Sequence, residues 1–261
     1  MSRRSVSPRV ARAREPKGGF IRSVSLPEGR IEKDRYPFTI PAIASLDTLD
    51  LHPAVTLLVG ENGSGKSTLV EALAVAAGFN PEGGSRNFNF ATRNSESSLG
   101  QALRLIRNPQ RPRTGFFLRA ESFYNVSTEI ERLDAEPSFG PPLTPAYGGT
   151  PLHERSHGES FRALLAHRFK GQGLYFLDEP EAALSPQATM YALHRIHELV
   201  TEGAQFVIAT HSPILMSYPE SYIYLMNDDG IHRQSYAELE SVALMRDFLN
   251  DPKTFLNQLL Q

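Results

Sequence analysis

Cysteine is missing from all 261 residues, which excludes disulfides and thiolate metal sites. An excess of one charge is missing as well. With 27 Lys and Arg against 29 Asp and Glu, no global field advertises nucleic acid or an acidic partner. No apolar stretch approaches the length that a bilayer-spanning helix needs, so a membrane role would require a separate partner subunit. The N-terminus has no apolar signal core, and a cytoplasmic location is the default expectation. At this length the chain suits one large α/β domain or two small ones.

Charge is uneven in one place. Residues 1–19 carry Arg3, Arg4, Arg9, Arg12, Arg14 and Lys17 against the single acid Glu15, among serines, two prolines and a Gly-Gly pair. That composition predicts a disordered tail before a domain spanning 20–261. The alternative is an arm that contacts nucleic acid.

From Phe20 onward strand-like and helix-like runs alternate, the pattern of a sheet with helices packed on it. The apolar run Val55 to Val59 leads into Gly60-Glu61-Asn62-Gly63-Ser64-Gly65-Lys66-Ser67-Thr68, a complete G-x-x-x-x-G-K-S phosphate loop, and an apolar helical face follows (Leu69, Leu73, Val75, Ala76) ending at Gly78. Glycines let the backbone turn its N–H groups inward, Lys66 reaches the β- and γ-phosphates, and the Ser67 hydroxyl ligates Mg²⁺ at a helix N-terminus. Nucleoside triphosphate binding is the expectation.

Two later strands supply candidate chemistry. Gly173 to Leu177 is continuously apolar and closes on Asp178-Glu179, placing two carboxylates at the C-terminal edge of a buried strand. There Asp178 would hold Mg²⁺ and Glu179 would orient and deprotonate the attacking water. A second apolar strand, Gln205 to Ala209, delivers His211 to the same edge, where an imidazole can bond the γ-phosphate or the attacking water. Between loop and carboxylates, His153-Glu154-Arg155-Ser156-His157 spells the zinc motif H-E-x-x-H, which must lie within a helix. Pro151 before it and Gly158 after it suit a loop leading into a helix whose first turn holds Glu159 and Ser160.

Taken in order, the phosphate loop, Ser156-His157-Gly158-Glu159, Phe176-Leu177-Asp178-Glu179-Pro180, Ala182-Ala183-Leu184-Ser185 and His211 resemble the ATP-binding cassette (ABC) superfamily over roughly residues 36–226. More narrowly, Arg119-Ala120-Glu121-Ser122-Phe123 and Asp178-Glu179-Pro180-Glu181-Ala182-Ala183-Leu184-Ser185-Pro186 look like compact, stand-alone bacterial ATPases commonly named AAA family ATPases. The resemblance implies an α/β P-loop fold, a mixed and mostly parallel sheet flanked by helices. A small helical lobe at about 122–170 would carry the signature loop. It implies ATP and Mg²⁺ as cofactors and an ATP-dependent homodimer in which Ser156, the Gly158 amide and Glu159 of one copy face the γ-phosphate held by the other. Nucleic acid or an unidentified protein is the candidate further partner.

The chain departs from the family pattern at His157, usually glycine, at Glu159, usually glutamine, and at Ser185, usually aspartate. The last suits an N-cap for a helix starting at Pro186. After the strand Gly115 to Leu118, Glu121 stands in for a metal-contacting glutamine, or is an ordinary helix-capping acid. Tyr36 or Phe38 lies where the family stacks an aromatic on adenine, core packing being the equal alternative. His194 and His197 sit one turn apart, with no third metal ligand at a fixed spacing. No long heptad region points to coiled-coil arms. The Pro- and Gly-rich segment 133–150 reads as a mobile loop, and the C-terminal part as a hairpin around Asp229-Gly230 followed by two short helices. The function expected is ATP hydrolysis, with the ATP-binding subunit of a transporter and a non-hydrolysing ATP sensor as alternatives.

Overall fold

The computed structural model describes residues 18–30, 34–85, 98–119, 157–182 and 184–260, with isolated positions 128, 132, 134, 145 and 149. In chain order the elements are β1 (Ile21–Ser25), α1 (Pro41–Ala44), β2 (Thr48–Asp50), β3 (Val55–Val59), α2 (Lys66–Ala76), α3 (Ser98–Ala102), β4 (Arg104–Arg107) and β5 (Thr114–Arg119). There follow α4 (His157–Ala163), a π-helical turn (Leu164–Arg168), β6 (Gly173–Asp178), α5 (Pro186–Thr201), β7 (Gln205–Ala209), α6 (Pro213–Met216), β8 (Tyr222–Asn227), β9 (Gly230–Gln234), α7 (Glu240–Asn250) and α8 (Pro252–Leu259).

A six-stranded sheet runs in the order β5-β6-β7-β3-β8-β9, parallel except for β9, which returns antiparallel to β8. Every residue of β3, β6 and β7 is buried, as expected where parallel strands are covered on both faces. Alternate side chains serve opposite layers. Leu57, Phe116, Tyr175, Leu177, Phe206 and Ile208 pack under α4, α5 and α6, while Leu58, Phe117, Leu174, Phe176, Val207 and Ala209 pack under α1 and α2. The face of α2 is shifted from the expected one: Leu69, Val70, Ala72, Leu73 and Ala74 are buried, and Val75 and Ala76 only partly.

The sequence did not announce the second sheet, three short antiparallel strands in the order β2-β1-β4. One buried residue of the large sheet ties it down. The Oε1 of Gln205 accepts from the Phe20 and Ile21 amides at 2.7 and 2.9 Å, and its Nε2 donates to the Ile21 and His52 carbonyls at 2.8 and 3.0 Å. Gly19, assigned to the tail from sequence, belongs to this joint. It is buried, its carbonyl accepts from Asn108 Nδ2 at 2.5 Å, and a Cβ there would come within 2.6 Å of Gln205. The remainder of the tail (1–17), the 133–150 segment, Glu121, Ser156 and most of the expected lobe lie outside the described residues.

Candidate functional site

The phosphate loop leaves β3 at Gly60, whose φ of 148° and crowding would admit no side chain: a Cβ would lie 2.2 Å from the Met226 carbonyl oxygen. Gly65 (φ 94°) is the N-cap of α2, with Ile40 at 3.0 Å from a would-be Cβ. No side chain caps α2 and its first turn holds no acid, so its leading N–H groups are left for an anion. Ser64 Oγ, inside the loop, is buried with no hydrogen-bond partner. Lys66 is only 4% exposed, and its Nζ donates to the Glu61 carbonyl at 2.8 Å. Burial holds the ammonium below its ordinary pKa, opposed by the charges of Glu179, Asp178 and Glu181. A desolvated cation, uncapped amides and an orphaned hydroxyl in one turn fit a nucleotide's phosphates.

Across the parallel ladder, Asp178 pairs in register with Ala209, so the loops after β6 and β7 leave the sheet side by side. Asp178 is 6% exposed. Glu179 adopts a left-handed φ of 47°, fixed by its amide donating to the Ala209 carbonyl at 3.0 Å and its carbonyl accepting from Ala182. Such a conformation in a non-glycine residue costs about 1 kcal/mol and clusters at functional sites. It aims the carboxylate at the next loop, where Glu179 Oε1 lies 3.3 Å from His211 Nε2, each side chain a little over a third exposed. Lys66, Asp178, Glu179 and His211 thus converge at the C-terminal edge of the sheet. Among the described residues no group of three or more His, Asp or Glu side chains could hold a metal by itself. A divalent ion here would be held by one or two protein oxygens, Ser67 and Asp178, and by the phosphates, the arrangement Mg²⁺ prefers.

Tyr36 and Phe38 separate clearly. Phe38 is 2% exposed and belongs to the core, whereas Tyr36 is 67% exposed with its Oη 3.2 Å from Thr68 Oγ1, beside the phosphate loop. Ser185 caps α5 as its sequence context implied, accepting from the Ala188 amide at 3.2 Å. His194 faces Glu198, and His197 Nδ1 lies 3.2 Å from Tyr218 Oη. Gly158 and Glu159 sit in the first turn of α4, with Glu159 exposed and Ser160 buried. Because α4 packs on the sheet face opposite α2, this turn belongs to a different layer from the phosphate loop. Of the zinc motif only His157 is described, as the first residue of α4.

Two features were not read from sequence. Arg119, closing β5, forms an ion pair at 2.8 Å with Glu71 of α2. Glu181 reaches across to the His211 loop through three hydrogen bonds. Its place one residue beyond Pro180 in the acidic motif was the available signal, but nothing in the spacing says which loop it meets.

Comparison with known proteins finds the following similarities. A family described as "AAA domain" matches residues 42–131, and one described as "AAA domain, putative AbiEii toxin, Type IV TA system" matches residues 147–217. A "Putative ABC transporter ATP-binding protein" of Caldanaerobacter subterraneus subsp. tengcongensis is 27% identical over 220 residues, covering 76% of this chain and 84% of that protein. A "Putative ribose/galactose/methyl galactoside import ATP-binding protein 2" of Agrobacterium fabrum is 26% identical over 197 residues, 66% of this chain but only 36% of that protein's length. Among solved structures, the ADP conformation of MJ1267, an ATP-binding cassette of an ABC transporter, is similar at 20% identity over 80% of this chain and 90% of that one, with a TM-score of 0.42. The family matches and the two sequence relatives make the chain similar to ABC-type P-loop ATPases and support ATP as the nucleotide it binds.

Proposed function

We propose that the chain hydrolyses ATP with Mg²⁺ at a site completed between two head-to-tail copies. The observation that carries the reading is the convergence of Lys66, Asp178, Glu179 and His211 on one sheet edge. Mg²⁺, when bound, supplies charge neutralisation for the β- and γ-phosphates. Gly60 to Thr68 wrap the phosphates with backbone amides, and Lys66 exchanges its bond to the Glu61 carbonyl for phosphate oxygens. Ser67 and Asp178 furnish the protein's oxygens for the ion. Glu179 accepts a proton from the attacking water on its Oε1, and His211 Nε2 sits within reach of the same water or of the γ-phosphate. Tyr36 offers its exposed ring to the adenine.

Gly158 and Glu159, with Ser156, close the site from the second copy. The placement of α4, which begins with His157, Gly158 and Glu159, on the sheet face opposite α2 supports action in trans. Glu121 keeps its place as a candidate metal contact, and nucleic acid as a candidate cargo. A second reading, the ATP-binding subunit of a transporter, is supported by the names of both sequence relatives. It accords with the lack, among the described residues, of any helix long and apolar enough to cross a membrane.

Specific ATPase rate measured against protein concentration tests both, with Glu179→Gln as the blank. The expectation is a rate per protomer that climbs with concentration and falls by about 10²-fold to 10⁴-fold in the variant. A rate that is flat and at the blank level, and that rises only on adding a membrane partner, favours the transporter subunit and overturns self-completion.

A further inference from the structure

Glu181 is the least explained charge at the site: it is neither a phosphate contact nor in the place of a metal ligand. One of its oxygens nevertheless collects three donors of the neighbouring turn. Oε1 accepts from Thr210 Oγ1 at 2.6 Å, from the His211 amide at 2.6 Å and from the Ser212 amide at 3.0 Å. Thr210 Oγ1 in turn accepts from the Ser212 amide at 3.0 Å, so the turn is tied to itself as well as to Glu181. The other oxygen, Oε2, is buried and has no hydrogen-bond partner. The tether begins from a fixed base: Asp178 is the ladder partner of Ala209, and Pro180 lies between the candidate base and Glu181.

We infer that Glu181 is the positioning residue for His211, holding the turn after β7 so that the imidazole stays against Glu179. Amides bonded to a carboxylate form short, strong hydrogen bonds. Two amides and the Thr210 hydroxyl on one oxygen leave the 210–212 backbone a single arrangement, and that arrangement puts His211 Nε2 3.3 Å from Glu179 Oε1. Without the carboxylate, the Thr210 hydroxyl and the His211 amide lose their acceptor, the Ser212 amide keeps only Thr210 Oγ1, and the turn loses its tie to the loop after β6. The histidine then leaves its near-attack position, and small displacements of that kind reduce rates by orders of magnitude. The inference rests on the proposed role of His211 in hydrolysis.

Four variants of the full-length chain test it: Glu181→Ala, Glu181→Gln, Glu181→Asp and His211→Ala, with the Glu181→Ala/His211→Ala double variant. Glu181→Ala is expected to lower kcat by about 10-fold to 100-fold with KM for MgATP nearly unchanged, since the tether touches no phosphate. Its loss does not exceed that of His211→Ala, and the double variant matches His211→Ala alone. Glu181→Gln recovers most of the rate because its amide oxygen accepts the same donors. Glu181→Asp does not, because it keeps the charge but withdraws the oxygen by about one methylene, roughly 1.5 Å. In ¹⁵N NMR spectra the His211 amide resonates far downfield and exchanges slowly in the parent and in Glu181→Gln. It moves upfield in Glu181→Ala.

If Glu181→Ala unfolds the protein, the Gln and Asp variants carry the comparison. Multiplicative losses in the double variant, a raised KM at unchanged kcat, or a His211 amide that does not move would each overturn the positioning role. Parent-level turnover in His211→Ala would instead refute the role of His211 itself, and the catalytic consequence of the tether with it.

Discussion

Replacing Gln205 should damage this protein more than any single exposed charge would, although the residue lies far from the phosphate chemistry. Gln205 is fully buried, and its amide makes four hydrogen bonds to backbone groups of Phe20, Ile21 and His52. In Gln205→Ala two amides and two carbonyls lose their partners at the joint between the two sheets. At about 1 kcal/mol for each lost bond, the destabilisation is about 4 kcal/mol, roughly a quarter or more of a typical domain's stability. For a domain of this size that corresponds to a midpoint lowered by about 10 °C. Gln205→Glu separates the bonds from the shape. One carboxylate oxygen can still accept from Phe20 and Ile21, but the other faces two carbonyl oxygens.

The carboxyl that Gln205→Glu introduces would be buried, with its folded pKa raised above the ordinary glutamate value. Stability of this variant is then fully present below that ordinary value and is lost as pH rises through the folded pKa. Scanning calorimetry or urea unfolding from about pH 4 to 8 of parent, Gln205→Ala and Gln205→Glu measures this. A Gln205→Ala loss under about 1 kcal/mol, or a Gln205→Glu loss that does not change with pH, would falsify the joint as drawn.

Two further tests bear on the nucleotide. Burial depresses Lys66 below the ordinary lysine value, and phosphate binding favours its charged form. MgATP affinity should therefore be highest below the depressed pKa and decline as pH rises through it, and the decline should be absent in Lys66→Met, as read by isothermal titration in alkaline buffers. Tyr36→Ala should weaken MgATP binding by about tenfold with an unchanged melting midpoint, whereas Phe38→Ala should remove about 3–5 kcal/mol of stability. The reverse pattern would mean that the exposed ring is not the adenine contact.

Local chemistry settled more of this protein than its modest likeness to known relatives would imply. The phosphate loop was legible because its glycines, lysine and serine must occupy fixed offsets to wrap an anion, whatever the rest of the chain does. The buried strands β3, β6 and β7 were legible because a strand covered on both faces reads as an unbroken apolar run. Ser185 was legible as a cap because capping is decided within four residues. What stayed hidden depends on partners distant in sequence. The three-stranded sheet is made of short strands with mixed burial, whose pairing is decided by the body they lie on.

Residue type and spacing therefore determined that a nucleotide's phosphates are held and that carboxylates stand at a strand end. Only the tertiary structure decided that Phe38 is core and Tyr36 is exposed beside the loop, and that Glu181 belongs to the His211 turn. It alone decided that Gln205 joins two sheets across 184 positions of sequence. The physical reason is the same for each. A hydrogen bond or a burial between distant segments is set by how the layers stack, and no periodicity in either segment records its partner.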